Sequence, residues 1–267
     1  MLLRWFSKNT VHFGERGSHL RPDDGSCIMR YKIAAKQCAG KRVLDIGCGT
    51  GLGASLISQT ATQLIGIDYS SATIAYAKRH NRLDNVEYYV ADIQKEIVEV
   101  GTFDLVCMFE VLEHVQNARL AMHNVTEKMK PDAVLLLSTP NVGIRGGKHE
   151  SLYHEHEYTY AELSTFLRSL FREVKIIGIA PVANNQTDQN WEREKGKNFL
   201  TKVAASLARL HLVKVLYQLI PPRLIETILR VKLPVSKESD WRLVETTQEI
   251  EKAPHLMAIV SGAIQTQ

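Results

Sequence analysis

The chain is poor in cysteine and has no long apolar run. Its 267 residues include only Cys27, Cys38, Cys48 and Cys107. None forms a C-x-x-C pair and none has zinc-ligand spacing. That excludes a disulfide-stapled scaffold and a zinc ribbon, and predicts reduced thiols in a cytoplasmic protein. No stretch reaches the roughly 18 apolar residues that a spanning helix needs. The start, MLLRWFSKNT, lacks the apolar core and small-residue cleavage site of a secretory signal. Repeats and low-complexity tracts are absent. A net charge of +4, from 33 basic and 29 acidic residues, is too mild to argue by itself for nucleic acid or anionic lipid. What is present, 45% hydrophobic and 23% charged residues, suits a globular chain with a sizeable core.

The order of patterns is alternating. Residues 1–25 carry Gly14, Gly17, Pro22 and Gly25 as breakers, and Ser26 to Cys38 reads as a helix closed by Gly40. Strands follow at 42–46, 63–68, 86–92, 103–109, 133–139 and 174–179. Helices are expected near 51–60, from Ser70 or Ser71 through Arg79, from the end of the fourth strand to about Met129, and at 160–170. Residues 185–250 show no convincing strand. Helical periodicity returns at 198–220, stopped by Pro221-Pro222, and at about 222–231. HLMAIVSG (255–262) is a final strand. Alternating strands and helices predict an α/β domain, a mostly parallel doubly wound sheet with helices on both faces. The expected division is 1–40 as an N-terminal lid, 41–184 with 251–267 as the core, and 185–250 as a helical insertion before the last strand.

VLDIGCGTGLG carries the most chemistry. A strand ends at Ile46, and Gly47, Gly49 and Gly51 follow at alternate positions before a helix. Such glycines let backbone turn tightly and approach a ligand without Cβ atoms. Open α/β sheets bind ligands at the carboxyl ends of their strands. Asp68 ends the next strand, where a carboxylate can accept both hydrogens of a ribose diol. The dinucleotide spacing G-x-G-x-x-G is not met from Gly47, because Leu52 stands at its third position. From Gly49 the third position is Ala54, so a nicotinamide oxidoreductase is disfavoured but stays open. A turn that binds nothing, and a cofactor-binding module without turnover, are the bland alternatives.

Asp45-x-Gly47-x-Gly49-x-Gly51, then Asp68, then Asp92, resembles the class I S-adenosylmethionine-dependent methyltransferases over roughly residues 40–180 and 255–262. The resemblance implies a Rossmann-like sheet of seven strands with the last antiparallel, and S-adenosyl-L-methionine as cofactor. It implies that Gly47, Cys48, Gly49 and Gly51 pass against the methionine part, with Asp45 supporting the loop. Asp68 would hold the ribose hydroxyls. Asp92 would bond the adenine amino group, with Ile93 beside the ring and Tyr69 on its other side. Phe109 and Glu110 would flank the methyl-donor end.

FDLVCMFEVLEHV followed by KPDAVLLLSTPN is similar to the ubiquinone-biosynthesis O-methyltransferase type, with Asp132-Ala133 replacing the usual Gly-Gly at what reads as a turn. A bacterial group associated with surface-glycan synthesis is also similar. It shares Glu15-Arg16, Arg30-Tyr31 and the run His154-Glu155-His156-Glu157-Tyr158-Thr159, although Gly17-Ser18 departs from its usual apolar pair. The acceptor implied is a small hydroxylated molecule, a glycan sugar or a quinone-like compound.

Glu110, Glu113 and His114 are spaced to share one helical face. Together with His154 or His156 they form a donor set for a divalent cation. The terminal 2′-O-methyltransferases of small RNAs share this arrangement, and their metal histidine aligns with His154. The bland reading makes Glu113 a first-turn acid facing the helix dipole and His114 an ordinary helix residue. Methyl transfer to an alcohol needs a base or a metal, and His114, His154 and His156 are the catalytic candidates.

Residues 185–235 hold nine basic and four acidic residues, an excess larger than that of the whole chain. A helical cap on the sheet or on a second subunit in a homodimer, a peripheral contact of 198–220 with the inner membrane face, and an RNA-contacting surface are the readings. RNA is disfavoured, since no aromatic-interleaved basic stripe accompanies the charge.

Overall fold

The computed structural model describes residues 25–95, 101–146, 154–182 and 238–264. The expected helices at 198–220 and 222–231, most of the insertion and most of the N-terminal lid lie outside these residues. Helix α1 (Gly25–Ala35) precedes strand β1 (Arg42–Ile46), the single-turn helix α2 (Ala54–Ile57) and β2 (Gln63–Asp68). Then come α3 (Ser71–His80), β3 (Val86–Val90), β4 (Phe103–Phe109), a 3₁₀ turn (Leu112–His114) and α4 (Ala118–Thr126). The chain continues through β5 (Met129–Pro140), α5 (Tyr160–Arg168), β6 (Phe171–Pro181), β7 (Trp241–Val244), α6 (Thr247–Glu251) and β8 (His255–Ala263).

The strands form one sheet in the order β3-β2-β1-β4-β5-β8-β6-β7. The first five are parallel, β8 runs antiparallel to both β5 and β6, and β7 is antiparallel to β6. The expected antiparallel last strand is therefore present. The sheet has eight strands rather than seven, because Trp241–Val244 adds an edge strand within a stretch expected to have none.

Both faces are covered, which is why the central strands read as unbroken apolar runs. On one face Tyr31, Ile57 and Ile74 from the first three helices meet Val43, Cys107 and Leu136. On the other, Met122, Leu163 and Ile250 meet Leu44, Val106 and Leu135. Ser70 caps α3 by accepting from the Thr73 amide, and Thr159 and Glu162 form a reciprocal capping box on α5.

Three boundaries differ from expectation in ways that matter for the site. Strand β3 stops at Val90, so Asp92 sits in a loop. The Asp132-Ala133 pair, read as a turn, lies inside β5 opposite a register irregularity between Phe103 and Leu105. The long helix expected after β4 is broken: the 3₁₀ turn closes at His114, and α4 starts afresh at its cap Asn117, whose side chain accepts from the Leu120 amide. No helix among the described residues is long and apolar enough to cross a membrane.

Strand order reverses between β1 and β4, and the loops leaving β1, β2, β4 and β5 emerge at one edge. This is the switch-point edge at which such sheets bind ligands. Because β7 and β8 run the other way, their first residues, Trp241 and His255, are delivered to the same edge.

Candidate functional site

Gly47, Gly49 and Gly51 all have positive φ (68°, 55° and 82°). At Gly47 a Cβ would fall 2.3 Å from Val111 Cγ2, so the turn is pressed against the segment leaving β4. The Gly47 and Cys48 amides donate to the Ile67 carbonyl at 2.8 and 3.0 Å, laying the turn across the end of β2. There the Asp68 carboxylate accepts from the Gly49 amide at 3.1 Å and from the Ser70 amide at 2.9 Å. One bond on each oxygen aims the carboxylate, which offers about four acceptor positions in all.

Asp45 lies beneath this turn, 1% exposed, and accepts from the Tyr31 hydroxyl at 3.1 Å. Burial, with the charge of Asp68, pushes its pKa up to about 7 against the lowering effect of the Tyr31 bond. Burial beside Asp45 likewise pushes the Tyr31 phenol well up. Cys48 faces inward: its side chain is buried in the core and its thiol pKa is raised by burial, so only its backbone lines the turn.

The other residues expected at the cofactor are spread along the same edge. Asp92 accepts from the Gln94 amide at 3.0 Å and pairs with Lys95 at 3.6 Å. Ile93 beside it is buried, whereas Tyr69 is half-exposed next to Asp68. Phe109 is buried, its ring edge-on to Tyr31 with centroids 5.2 Å apart. Arg30, the neighbour of Tyr31, is 3% exposed, and its Nε and Nη1 atoms are buried without hydrogen-bond partners. A buried guanidinium whose Nε and Nη1 make no hydrogen bond fits an amino-acid cofactor's carboxylate. These residues suit S-adenosylmethionine.

The acidic helix face is rearranged. Glu110 has φ 55° and is not on a helix. Its carboxylate accepts from Ser138 Oγ at 3.0 Å and lies 3.7 Å from Arg30 Nη1 and 3.3 Å from His255 Nδ1. Burial would raise its pKa, but Arg30, His255 and the Ser138 bond outweigh this and hold it well below the usual carboxylate range. Glu110 is therefore turned away from the metal set in which it was expected. Its backbone cannot continue a helix, so the shared face does not form.

Glu113, His114 and His154 do come together, with ligand atoms within 4.8 Å of one another. The His114 and His154 rings meet edge-on at 4.7 Å, and His154 Nδ1 lies 2.5 Å from the buried Glu157 carboxylate. The loop bearing His154 is strapped down by the Glu155 and His156 amides, which donate to the Glu113 carbonyl at 2.7 and 3.2 Å. Glu113 is 1% exposed and accepts from Thr139 at 3.0 Å. Burial and the charge of Glu110 push its pKa well up. His156 is not in this group: it is exposed, with its ring 4.5 Å from Tyr158.

Sequence reasoning placed no site role on His255 or Trp241, and only a family motif marked Arg30 and Tyr31. The signal for the latter pair was the adjacency of a cation and a phenol on an apolar helix. For His255 it was its position at the start of the last strand; Trp241 carried no such signal, since no strand was expected there.

A family profile described as "Methyltransferase domain" matches residues 28–197. A Mycolicibacterium smegmatis protein named a probable S-adenosylmethionine-dependent methyltransferase is 34% identical over 149 residues, 54% of this chain and 57% of that protein. The mitochondrial ubiquinone biosynthesis O-methyltransferase of Schizosaccharomyces pombe is 34% identical over 132 residues, 47% of this chain and 48% of that one. The chain spans about half the length of the curated relatives it matches. Among solved structures, the YcgJ protein of Bacillus subtilis superposes with a TM-score of 0.54 at 15% identity, covering 90% of this chain and all of that one. A complex titled DhpI-SAM-HEP gives 0.52 at 19% identity, over 66% and 90% of the two chains. These two likenesses are of fold. The profile match covers more than half of the chain, which therefore belongs to this methyltransferase-domain family.

Proposed function

We propose that the chain moves the methyl group of S-adenosylmethionine to a hydroxyl of a small ring-shaped acceptor, a glycan sugar or a quinone-like compound. One juxtaposition carries the reading. The glycine turn with Asp68 and the Glu113-His114-His154 group stand on one sheet edge, joined by the Glu110-Val111 segment that touches both. The names of the ubiquinone-pathway relatives support the quinone-like alternative.

The bound cofactor supplies an already activated methyl group on a sulfonium. The chain has to hold it, orient an acceptor oxygen and remove one proton. Asp68 would hold the ribose hydroxyls, the glycine turn would pass against the methionine part, and Arg30 would take its carboxylate. His114, whose side chain is 40% exposed, would take the acceptor proton. His154, oriented through Nδ1 by Glu157, supports it. The same three side chains fit a borderline divalent cation, which would acidify a bound hydroxyl in place of a free imidazole base. The described residues show two imidazoles and one carboxylate for it.

Titration calorimetry tests the reading. S-adenosylmethionine should bind the full chain, and Asp68→Ala should weaken it by about ten-fold or more. Binding of a nicotinamide dinucleotide instead, or an unaltered affinity in Asp68→Ala, would remove the pocket assignment. Manganese and zinc titrations, with His154→Ala as control, decide between the metal and the imidazole base.

A further inference from the structure

A second set of side chains stands on the same edge, in contact with Glu110. Trp241 opens β7 opposite Pro181, the last residue of β6. His255 opens β8 between Pro140 of β5 and Ile179 of β6. Their rings are 5.7 Å apart at 57°. His255 Nδ1 reaches the Glu110 carboxylate at 3.3 Å, and Val111, the next residue, packs on Gly47 of the cofactor turn. A continuous line of contacts thus runs from the cofactor turn through Glu110 and His255 to an aromatic ring at the sheet's edge. The ring packs, partly buried, against the core, and its segment is tied down on both sides: Glu238, three residues before Trp241, pairs with Lys32 of α1, and Arg242 pairs with Glu249 of α6 at 3.1 Å.

We propose that Trp241 and His255 form the acceptor subsite of the methyl-transfer centre, taking a hydroxylated ring with an apolar face. The apolar face lies on Trp241, and a ring hydroxyl points to the His255-Glu110 end. This rests on the methyltransferase reading and assigns it a specificity element, supplied by the edge strand that makes the sheet eight-stranded. Tryptophan gives a large, rigid contact for either a phenolic ring or the C–H face of a sugar. The Lys32-Glu238 and Arg242-Glu249 pairs keep that contact ordered before the acceptor arrives.

The chain has three tryptophans, Trp5, Trp191 and Trp241. Replacing Trp5→Phe and Trp191→Phe leaves Trp241 as sole reporter in the full chain. With S-adenosylhomocysteine bound, catechol and methyl α-D-glucopyranoside are titrated separately and emission is followed. A saturable change with one of them supports the subsite, and which probe gives it separates a phenolic from a sugar acceptor. Saturation-transfer NMR should show that Trp241→Ala weakens that probe about ten-fold, that Trp241→Phe largely restores it, and that His255→Gln weakens it less. Emission unmoved by both probes, or equal probe affinity in Trp241→Ala, overturns the proposal when S-adenosylhomocysteine still binds normally by calorimetry. Failure of S-adenosylhomocysteine to bind the parent chain would count against the methyltransferase reading itself.

Discussion

The Tyr31 hydroxyl donates to the Asp45 carboxylate at 3.1 Å, so the helix before the sheet is bonded to the first strand directly under the glycine turn. The bond is part of a double attachment, since Arg30, the preceding residue, sits 3.7 Å from Glu110 at the end of β4. Asp45 is buried, and its pKa is raised by that burial to about 7 from an ordinary 3.8. The native state therefore holds this proton where the unfolded chain has lost it. The stabilisation tied to Asp45 is complete below pH 4, is lost as pH rises to about 7, and is level above that. At the full shift it amounts to about 4 kcal/mol. Urea unfolding of the parent chain and of Asp45→Asn between pH 4 and 8 should show the difference between them shrink and then turn against the parent. A difference independent of pH would show that Asp45 keeps an ordinary pKa.

Glycine requirements differ in kind along the loop. At Gly53 a Cβ would fall 2.0 Å from the Tyr31 ring, which is itself locked between Asp45 and Phe109. At Gly40 the φ of 69° is the whole constraint, with nothing within 4 Å. Gly40→Ala should cost about 1 kcal/mol, a backbone strain alone. Gly53→Ala should cost more, about 2–4 kcal/mol, and weaken cofactor binding because Tyr31 must move off Asp45. Tyr31→Phe combined with Gly53→Ala should not rescue, since the hydroxyl is not what the new methyl meets. Denaturant midpoints measure all three.

The glycine turn, Asp68 and the core strands were readable from residue order, because each depends on a local pattern: glycine spacing, an acid at a strand end, an apolar run of strand length. What escaped depends on tertiary contacts. Glu110 reads as the first residue of an acidic helix, and only its pairing with Arg30, Ser138 and His255 holds it at positive φ. Trp241–Val244 is four residues with an exposed middle, too short to show alternation, and is a strand because β6 offers it an edge. His156 and His154 are equivalent by spacing. They are told apart by the Glu113 carbonyl, which fixes the loop so that only His154 turns toward His114.

Asn141 follows β5 and is 1% exposed. Its side-chain amide donates to the carbonyls of Glu251 and Ala253 at 3.0 and 2.9 Å and its oxygen accepts from the Gly143 amide at 3.0 Å. It therefore joins the end of β5 to the turn that feeds His255 into β8. Asn141→Ala leaves those carbonyls buried and short of a donor, at a cost of about 2–4 kcal/mol. Asn141→Asp should be at least as harmful, because it sets a carboxylate against carbonyl oxygens. Thermal unfolding checks both, and stability within about 0.5 kcal/mol of the parent would show that solvent replaces the side chain.

The two halves of the site should separate kinetically. Asp68 contacts the glycine turn, whereas His114 and His154 contact each other and Glu113. His114→Ala and His154→Ala should therefore lower turnover about 100-fold or more, the range of one general base, with cofactor affinity nearly unchanged. Asp68→Ala should do the reverse. His156→Ala, an exposed ring on Tyr158, should alter neither by more than a few-fold. If His114 acts as a free base, added imidazole should restore part of the activity in His114→Ala. If it acts as a metal ligand, manganese at high concentration should restore part of the activity in His114→Ala, because Glu113 and His154 still supply two ligands. Rescue by imidazole without metal points to the base, and rescue by metal without imidazole points to the cation.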